Sequence, residues 1–478
     1  MKNFFSRYRP SYIKTFVYML QSSEYNTGDY VAWLHRTRDF SKVTKRGSLD
    51  LTKKVRLLLA FSYLLLGLLW FGAILILVVT GTEFIWAVMV AIAILLIQPY
   101  LLAYGIVFPL WLGEVLIQKP KEKQMVASSK QKLASHTAVK IAIAGSYGKT
   151  SMREILAAVL GEGKKVAAPP HSYNTPIGIS KFIEKLSGDV EILIFELGEY
   201  YPGDIATLCD LVQPDIGIIT GINEAHLSKF KDISSTQATI FELGDYLNGK
   251  PLYVNAQNKL TRQKAKDYKT IEYSELGCNS WHLSGAKLNV QGTDFVAEKA
   301  KTALQLHTNL LGEHQLGALS CAIAMAEELG LSKQQIAKGI AETRPFEHRM
   351  QPYQLNGAWV IDDTYNGNID GIEAGLKLLK SLKAKRKIYV TPGLVEQGSS
   401  AEAIHVRIGK LIAKAQPDEV VLMGNSVTDY IKQGLKAGKF NNQLKIESEP
   451  PRFYAHLESF VAEGDIVMLQ NDWPDNYN

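Results

Sequence analysis

The chain has 478 residues, a formal net charge of +6 and three widely spaced cysteines, which excludes a single small domain, a disulfide-stapled secreted fold and a cysteine-ligated metal site. Its positive charge is concentrated at the start, where the first 56 residues carry twelve Lys or Arg against four Asp or Glu. Because the remainder is close to neutral, the charge does not indicate nucleic-acid binding, and we predict no nucleic-acid partner.

Residues 1–50 form a basic arm that is rich in aromatic side chains. The arm is not a signal peptide, because no apolar segment follows its first charges. Two interpretations remain open from the sequence. The arm is either a cytoplasmic segment that lies on an anionic membrane surface or a small helical cap packed on the main domain.

Residues 51–118 contain two apolar runs, 55–80 and 84–117, each as long as the ~20 residues that a membrane-spanning helix needs. The link Gly81–Glu83 is short, and both outer flanks are basic, which by the positive-inside rule places both flanks in the cytoplasm. We therefore predict a transmembrane hairpin in the plasma membrane, with membrane lipids as partners and the N-terminus and remaining domains cytoplasmic. The alternative is a buried helical hairpin of a soluble protein.

Residues 119–138 have the composition of a linker, and strand and helix patterns alternate after it. The pattern predicts a central domain over 139–345 with a mostly parallel sheet. A second alternating unit over 346–478 predicts a smaller Rossmann-like domain. The predicted fold class is therefore α/β, with two such domains preceded by the two-helix hairpin.

The stretch from Gly145 to Ser151 joins a buried strand to a helical pattern. A glycine-rich turn at such a junction directs backbone N–H groups and the positive end of the helix dipole toward an anion. Lys149 would contact the terminal phosphates and Thr150 a magnesium ion. An ordinary strand–helix turn with a solvated lysine is the alternative. The predicted nucleotide-binding residues of this loop are Gly145, Ser146, Tyr147, Gly148, Lys149, Thr150 and Ser151.

Polar side chains also follow the other predicted strands at their carboxyl ends, where open α/β sheets bind ligands. Glu196 follows one strand, and His226 lies after the next. A carboxylate and a histidine beside a phosphate loop are suitable partners for a magnesium phosphate complex. In the last domain, Asp362 and Asp363 follow a strand directly, and Arg349 near the domain junction would suit a phosphate charge.

Six motifs occur in order along 139–478. They are Gly145-Ser-Tyr-Gly-Lys-Thr150, Glu196-Leu-Gly with Tyr201-Pro-Gly-Asp-Ile205, Asn223-Glu-Ala-His-Leu227, Leu311-Gly-Glu-His314, His348-Arg-Met350 and Ile361-Asp-Asp-Thr-Tyr-Asn366. In their order and spacing the chain resembles the Mur ligases. Within that family it is most similar to the D-alanyl-D-alanine-adding type.

The resemblance implies an ADP-forming amide ligase that uses ATP and Mg²⁺ and works through an acyl phosphate. Its substrates would be a cell-wall peptidoglycan precursor, soluble or lipid-linked, and the amine of an amino acid or dipeptide. Catalytic roles would fall to Lys149, Glu196, His226 and Arg349, with Thr150, Glu196 and His226 as metal ligands. Further nucleotide contacts would come from His314, Gln315, Arg349, Asp362 and Asp363.

Three departures from the family pattern bear on this reading. Ile240 occupies the position where the family usually has a metal-bridging carbamylated lysine, and Gln315 replaces an asparagine. The predicted hairpin stands in place of the family's uridine-nucleotide-binding domain, which suggests a membrane-borne acceptor. Two other functions remain open: a poly-γ-glutamate-type or other amide ligase, and a non-catalytic ATP-binding scaffold of the cell envelope, which Ile240 would suit.

Overall fold

The computed structural model describes residues 11–23, 25–37, 40, 43, 49–79, 84–170, 173–223, 232–365, 367–394 and 400–471. The chain divides into two compact units, Met1–Met125 and Val126–Asn478. The part of the first unit that the structure describes is helical, and the second unit contains two β-sheets.

The first unit is built from helices that bury aromatic side chains. The helices are α1 (Ser11–Ser22), α2 (Thr27–Arg36), α3 (Lys53–Val79), α4 (Phe84–Gly105) and α5 (Val107–Gly113), followed by a π-helical turn (Glu114–Gln118). Tyr12 accepts a hydrogen bond of 2.6 Å from Gln98 Nε2, and Tyr30 donates one of 3.0 Å to the carbonyl of Ala103. Helices α1 and α2 of the basic arm therefore pack against α4.

The two long apolar runs of the sequence are helical: the first forms α3, and the second covers α4, α5 and most of the π-helical turn. By length and composition alone, α3 and the segment Leu96–Ala134 are able to cross a membrane. Many of their large apolar side chains are exposed, Leu57 and Val78 among them. Pro99 lies inside α4 without ending it, and the link Gly81–Glu83 falls outside the described residues.

Helix α6 (Lys119–Ala134) occupies most of the stretch expected to be a linker. Exposed helices and loops have a similar polar composition, so composition alone did not separate a helix from a linker here. Leu133 is fully buried against the core of the second unit, and Lys132 Nζ donates to the carbonyl oxygens of Ile183 (2.9 Å) and Leu186 (3.0 Å). These contacts make its last two turns part of that unit.

The central domain is organised around a ten-stranded sheet with the order β10-β9-β8-β7-β6-β5-β4-β1-β3-β2. Its strands are β1 (Val139–Ala144), β2 (Val166–Ala167), β3 (Ile192–Glu196), β4 (Ile216–Ile219), β5 (Leu252–Asn255), β6 (Ile271–Ser274), β7 (Gly277–Cys278), β8 (Trp281–Asn289), β9 (Gly292–Lys299) and β10 (Thr302–Thr308). Strands β1 to β6 are parallel, as the alternating pattern predicted, and β7 to β10 add an antiparallel extension.

Helices cover both faces of the parallel part of this sheet. They are α7 (Lys149–Gly161), α8 (Pro176–Glu184), α9 (Asp204–Val212), α10 (Ile233–Leu247), α11 (Lys259–Ala265), α12 (Leu316–Glu328) and α13 (Lys333–Glu342). Ile141 and Ile143 of β1 point into one apolar core, and Ala142 and Ala144 into the other. The central strand β1 is thus buried on both faces, which explains its continuous apolar sequence.

The C-terminal domain has a six-stranded sheet with the order β11-β12-β16-β13-β14-β15. Its strands are β11 (Gln351–Leu355), β12 (Ala358–Asp363), β13 (Arg386–Thr391), β14 (Glu419–Met423), β15 (Gln443–Glu447) and β16 (Asp465–Gln470), and its helices are α14 (Ile369–Ser381), α15 (Ala401–Ala415), α16 (Thr428–Ala437), α17 (Pro450–Ala455) and α18 (Leu457–Phe460). Only β11 runs antiparallel. The sheet confirms the expected Rossmann-like class.

Candidate functional site

The loop after β1 has two glycines with a positive φ, a backbone conformation that other residues rarely adopt. Gly145 and Gly148 have φ angles of 142° and 77°, and Gly148 caps the start of α7. A Cβ atom at Gly145 would lie 2.3 Å from Thr220 Oγ1. The Ser146 N–H donates to the carbonyl of Gly221 at 2.7 Å, so the loop is held closely against the end of β4. This geometry leaves the first turn of α7 open to an anion.

Lys149, the first residue of α7, is held by a buried carboxylate. Its Nζ lies 3.0 Å from Glu199 Oε1 and 2.9 Å from Oε2, and it also contacts the carbonyl oxygen of Gly145. The two side chains are 14% and 4% exposed. An ion pair in such a place is much stronger than a solvated one. Sequence reasoning did not identify Glu199 as the partner of Lys149.

Glu196, at the end of β3, lies beside the same helix start because it pairs in register with Ile143 of β1. Thr150 Oγ1 donates to Glu196 Oε2 at 3.0 Å. Arg153 Nη1 lies 2.9 Å from the other oxygen, Oε1, in an ion pair without hydrogen-bond geometry. Arg153 is almost fully buried and was missed by sequence reasoning, since an arginine inside a helix gives no indication of which strand end it faces.

The residues at this edge fit a magnesium ion. Thr150 supplies a hydroxyl and Glu196 a carboxylate, which are the oxygen ligands that Mg²⁺ prefers. The Ser146 hydroxyl is buried and makes no hydrogen bond to the described part of the chain. His226, expected as a further ligand, lies outside the described residues, which hold no group of three or more His, Cys, Asp or Glu suited to a metal.

Arg349 approaches from the C-terminal domain and is held in a strained backbone segment. It lies between His348 (φ 60°) and Met350 (φ 46°), both left-handed. Its guanidinium carbon lies 4.7 Å from the ring centre of Tyr365, and its buried Nε has no hydrogen-bond partner among the described residues. Burial lowers the pKa of Arg349, against the opposing charges of Asp363, Tyr365 and Glu196. Arg349 therefore lies within electrostatic reach of Glu196 in the central domain.

Asp362 and Asp363 end β12 and make different contacts. Asp362 Oδ2 accepts from His348 Nδ1 at 2.8 Å, and its Oδ1 accepts from the hydroxyl of Thr364 at 2.7 Å. Asp363 accepts from Gln470 Nε2 at 2.7 Å. Burial raises the pKa of Asp363 to about 6. Asp362 thus fixes the residue before Arg349, while Asp363 supplies a buried negative charge near it.

Four other residues were predicted to contact the nucleotide, and two of them lie in the loop or in the helix that follows it. Tyr147 packs against Gly221 and accepts a hydrogen bond of 3.1 Å from Asn258, and Ser151 lies in the first turn of α7. His314 and Gln315 form a 3₁₀ turn before α12, with Gln315 Nε2 3.1 Å from His314 Nε2. Among the hydrogen bonds of the described residues, none joins this turn to the loop 145–148.

Ile240 and Glu242 of α10 both make structural contacts within the part of the chain that the structure describes. Ile240 is fully buried in the apolar core. Glu242 Oε1 accepts from the Gly203 N–H at 2.8 Å, and its Oε2 accepts from the Ala206 N–H at 2.9 Å. Because both oxygens cap the start of α9, Glu242 is already committed to a structural role.

Both domains of the second unit are similar to domains of known proteins. Residues 143–326 match the family model described as "Mur ligase middle domain", and residues 348–470 match "Mur ligase, glutamate ligase domain". A UDP-N-acetylmuramoyl-tripeptide–D-alanyl-D-alanine ligase of Mycobacterium leprae is 27% identical over 69% of this chain and 70% of its own length. The corresponding ligase of Synechocystis is 28% identical, covering 69% of this chain and 71% of the relative.

Solved structures show the same fold. The MurF ligase of Thermotoga maritima in complex with ADP superposes with a TM-score of 0.65, at 20% identity over 73% of this chain and 80% of that one. A MurF structure from Acinetobacter baumannii gives a TM-score of 0.64, at 22% identity, covering 73% of this chain and 77% of that one. These likenesses confirm the predicted fold class of the central and C-terminal domains.

The comparisons correct the location predicted from the sequence. The matched ligases are soluble cytoplasmic enzymes, so the prediction of a plasma-membrane protein with two spanning helices is wrong. Its physical basis was the length and apolar composition of α3 and the run after it. Those two properties do not separate a spanning helix from the core helix of a soluble protein.

Proposed function

The chain belongs to the Mur ligase family of ATP-dependent ligases, and on that premise we propose that it joins the dipeptide D-alanyl-D-alanine to a UDP-N-acetylmuramoyl-tripeptide in peptidoglycan synthesis. The relatives that match over two thirds of the chain carry this activity in their names. The bond formed is an amide between the tripeptide's terminal carboxyl and the dipeptide's amine.

One observation supports the proposal more than any other. The start of α7 presents Lys149 and Thr150 beside Glu196, and Arg349 of the C-terminal domain is close enough to Glu196 for the two charges to interact. On the proposal, these two cations and the pair Thr150 and Glu196 act on one nucleotide bound at the helix end. This is the charge arrangement that a phosphoryl transfer needs, because its barrier falls mainly through positioning and charge neutralisation.

The proposed reaction has two steps. A carboxylate oxygen of the tripeptide attacks the terminal phosphorus of ATP, and the bond from that phosphorus to ADP breaks. The amine nitrogen of the dipeptide then attacks the acyl carbon, inorganic phosphate leaves with both electrons of the C–O bond, and the nitrogen loses a proton. Lys149 binds and orients the terminal phosphate, and Arg349 of the C-terminal domain stabilises the negative charge.

Mur ligases use Mg²⁺ with ATP, and Thr150 and Glu196 would hold the ion, whose charge offsets that of the phosphates. Arg153 keeps Glu196 oriented by contacting its Oε1, while Thr150 contacts Oε2. The side chains that would touch the ion are therefore fixed by their neighbours.

Purified protein incubated with Mg-ATP, UDP-N-acetylmuramoyl-tripeptide and D-alanyl-D-alanine tests the proposal. We expect stoichiometric ADP, phosphate and UDP-N-acetylmuramoyl-pentapeptide by mass spectrometry, with no ADP when the tripeptide is omitted and no sustained ADP release when the dipeptide is omitted. A panel of single amino acids and glutamate-terminated acceptors in the same assay would identify another amide ligase. ATP turnover with only those substrates would contradict the proposed substrates.

A further inference from the structure

The side chain of Asn258 bonds to its own helix and to the loop after β1. Asn258 is the N-cap of α11, and its Oδ1 accepts from the N–H (2.8 Å) and the hydroxyl (2.9 Å) of Thr261. Capping a helix needs only this oxygen. The Nδ2 group donates instead to Tyr147 Oη at 3.1 Å and to the carbonyl of Ile222 at 3.0 Å. Asn258 therefore makes contacts that a cap alone does not require.

The orientation of this amide is fixed by its neighbours. The N–H groups of Thr261 and Ile222 both donate to Oδ1. Exchanging the oxygen and the nitrogen of the amide would therefore place donors against donors. Both N–H bonds of Nδ2 are used as well, one on each acceptor. A serine can supply the capping oxygen, but its single hydroxyl donor cannot replace both bonds of Nδ2.

Tyr147 carries the contact with Asn258 into the loop 145–148. The Tyr147 carbonyl accepts from the Thr220 hydroxyl. Its ring lies so close to Gly221 that a Cβ atom there would be 2.5 Å from the ring carbon Cζ. Tyr147 is thus held through its backbone, its ring and its hydroxyl. Because Tyr147 immediately precedes Gly148 and the start of α7, its position fixes that of the N–H groups available to an anion.

We propose that Asn258 is a positioning residue that, through Tyr147, holds the loop 145–148 against the end of β4 in the conformation that binds the phosphates of the nucleotide. The inference rests on the proposed function, because it assumes that this loop receives the nucleotide. A loop that is fixed before binding does not have to be ordered by the ligand, so less of the binding free energy is lost. Loss of the Asn258 contacts should therefore weaken nucleotide binding.

Calorimetric titration of Mg-ATP into wild type and variants tests the proposal. Asn258→Ser keeps a cap for α11 and loses both bonds of Nδ2, and we expect about tenfold weaker binding. Tyr147→Phe keeps the ring on Gly221 and loses one of the two bonds, which should weaken binding about fivefold. The double variant should bind about tenfold more weakly than wild type, whereas independent effects would give about fiftyfold.

Asn26→Ser is the matched control for these titrations. Asn26 is also an N-cap, and its Oδ1 accepts from the N–H groups of Gly28 and Asp29 in its own helix, α2. The control makes the same substitution at a helix start in the other unit of the chain. It should bind Mg-ATP as wild type does.

Hydrogen exchange of the proteins without nucleotide, followed by mass spectrometry, separates positioning from a merely structural role. In Asn258→Ser we expect faster exchange in peptides that cover residues 145–151, with a thermal unfolding midpoint close to that of wild type. Loss of capping alone would instead speed exchange at the start of α11 and leave 145–151 unchanged.

Three results would overturn the inference while leaving the proposed function intact. They are equal affinity of Asn258→Ser and wild type for Mg-ATP, unchanged exchange of 145–151, and additive effects of the two substitutions, since Asn258 would then not act through Tyr147. Absence of Mg-ATP binding by wild type would overturn both the inference and the proposed function.

Discussion

At the scale of residues, the site is a set of buried charges that are held by opposite charges. Lys149 is paired with Glu199, and Arg153 with Glu196. Arg349 lies within the field of Asp363. Removing one member of a buried pair leaves the other uncompensated, which usually costs more than the pair itself contributes. Substitutions at the site are therefore expected to alter its neighbours.

Asp363 should make stability depend on pH. Burial raises its pKa from 3.8 to about 6, although Gln470 and Arg349 lower it, while Asp362 adds to the rise. Because the folded state binds a proton more tightly than the unfolded state, the stabilising contribution is largest below pH 4. It is lost as the pH rises through 6, by about 2 kcal/mol between pH 4.5 and 7.5.

The measurement is the thermal unfolding midpoint of wild type and Asp363→Asn at those two pH values. The asparagine keeps the shape and cannot ionise, so the variant should lose less stability than wild type on raising the pH. Tyr389 is also near Asp363, but the ordinary pKa of a tyrosine already lies above the range tested, and burial raises the pKa of Tyr389 further. The same pH dependence in both proteins would show that Asp363 does not titrate near 6.

Part of the site could be predicted from the sequence, because the position of some residues relative to a strand or turn indicates their role. Lys149 and Thr150 follow a glycine turn at a strand–helix junction, and Glu196 ends a buried strand. Glu199 and Arg153 could not be assigned, since their roles depend on which side chains meet in space. Whether His226 takes part stays a prediction, because it lies outside the described residues.

At the scale of elements, strands and helices could be predicted from the sequence where they contain a run of buried apolar residues. Strands β1, β3 and β4 are buried runs, and the sequence predicted a strand at each of these places. Strand β15 was not expected, because its side chains are largely exposed and carry no such run. Helix α6 was read as a linker for a similar reason: only its last part, around Leu133, is buried.

The contact between Glu242 of α10 and the start of α9 can be tested by substitution. Glu242→Ala removes two acceptors from the start of α9 and should destabilise the protein by about 1–2 kcal/mol, measured as a lower thermal unfolding midpoint. Glu242→Gln keeps one acceptor and should lose less stability and retain most ligase activity. If Glu242 instead replaced the family's metal-bridging lysine, the glutamine variant would lose activity at full stability.

At the scale of the whole second unit, the central and C-terminal domains share packed and charged contacts. Leu311, which precedes the turn with His314, is buried with Met350 and Ile361 of the C-terminal core. Lys377 Nζ lies 2.6 Å from Glu313 across the same junction. The exposed ion pair contributes little by itself, so the apolar contact is the main connection at this point.

Leu311→Ala should therefore destabilise the junction. Truncating a fully buried leucine costs about 2–5 kcal/mol, and we expect a lower thermal unfolding midpoint and a higher KM for ATP, because Arg349 lies beyond the same junction. Leu276→Ala is the matched control, since Leu276 is 70% exposed and should lose almost nothing. Equal effects of the two substitutions would mean that Leu311 does not join the domains.

The most direct test of the account is calorimetric binding of Mg-ATP to wild type and Lys149→Ala, with Lys165→Ala as a control for an exposed lysine. The account predicts saturable binding by wild type and the control, and at least about tenfold weaker binding by Lys149→Ala, with all three proteins folded. Equal affinity of wild type and Lys149→Ala would contradict it, because the nucleotide would then lie elsewhere than at the start of α7.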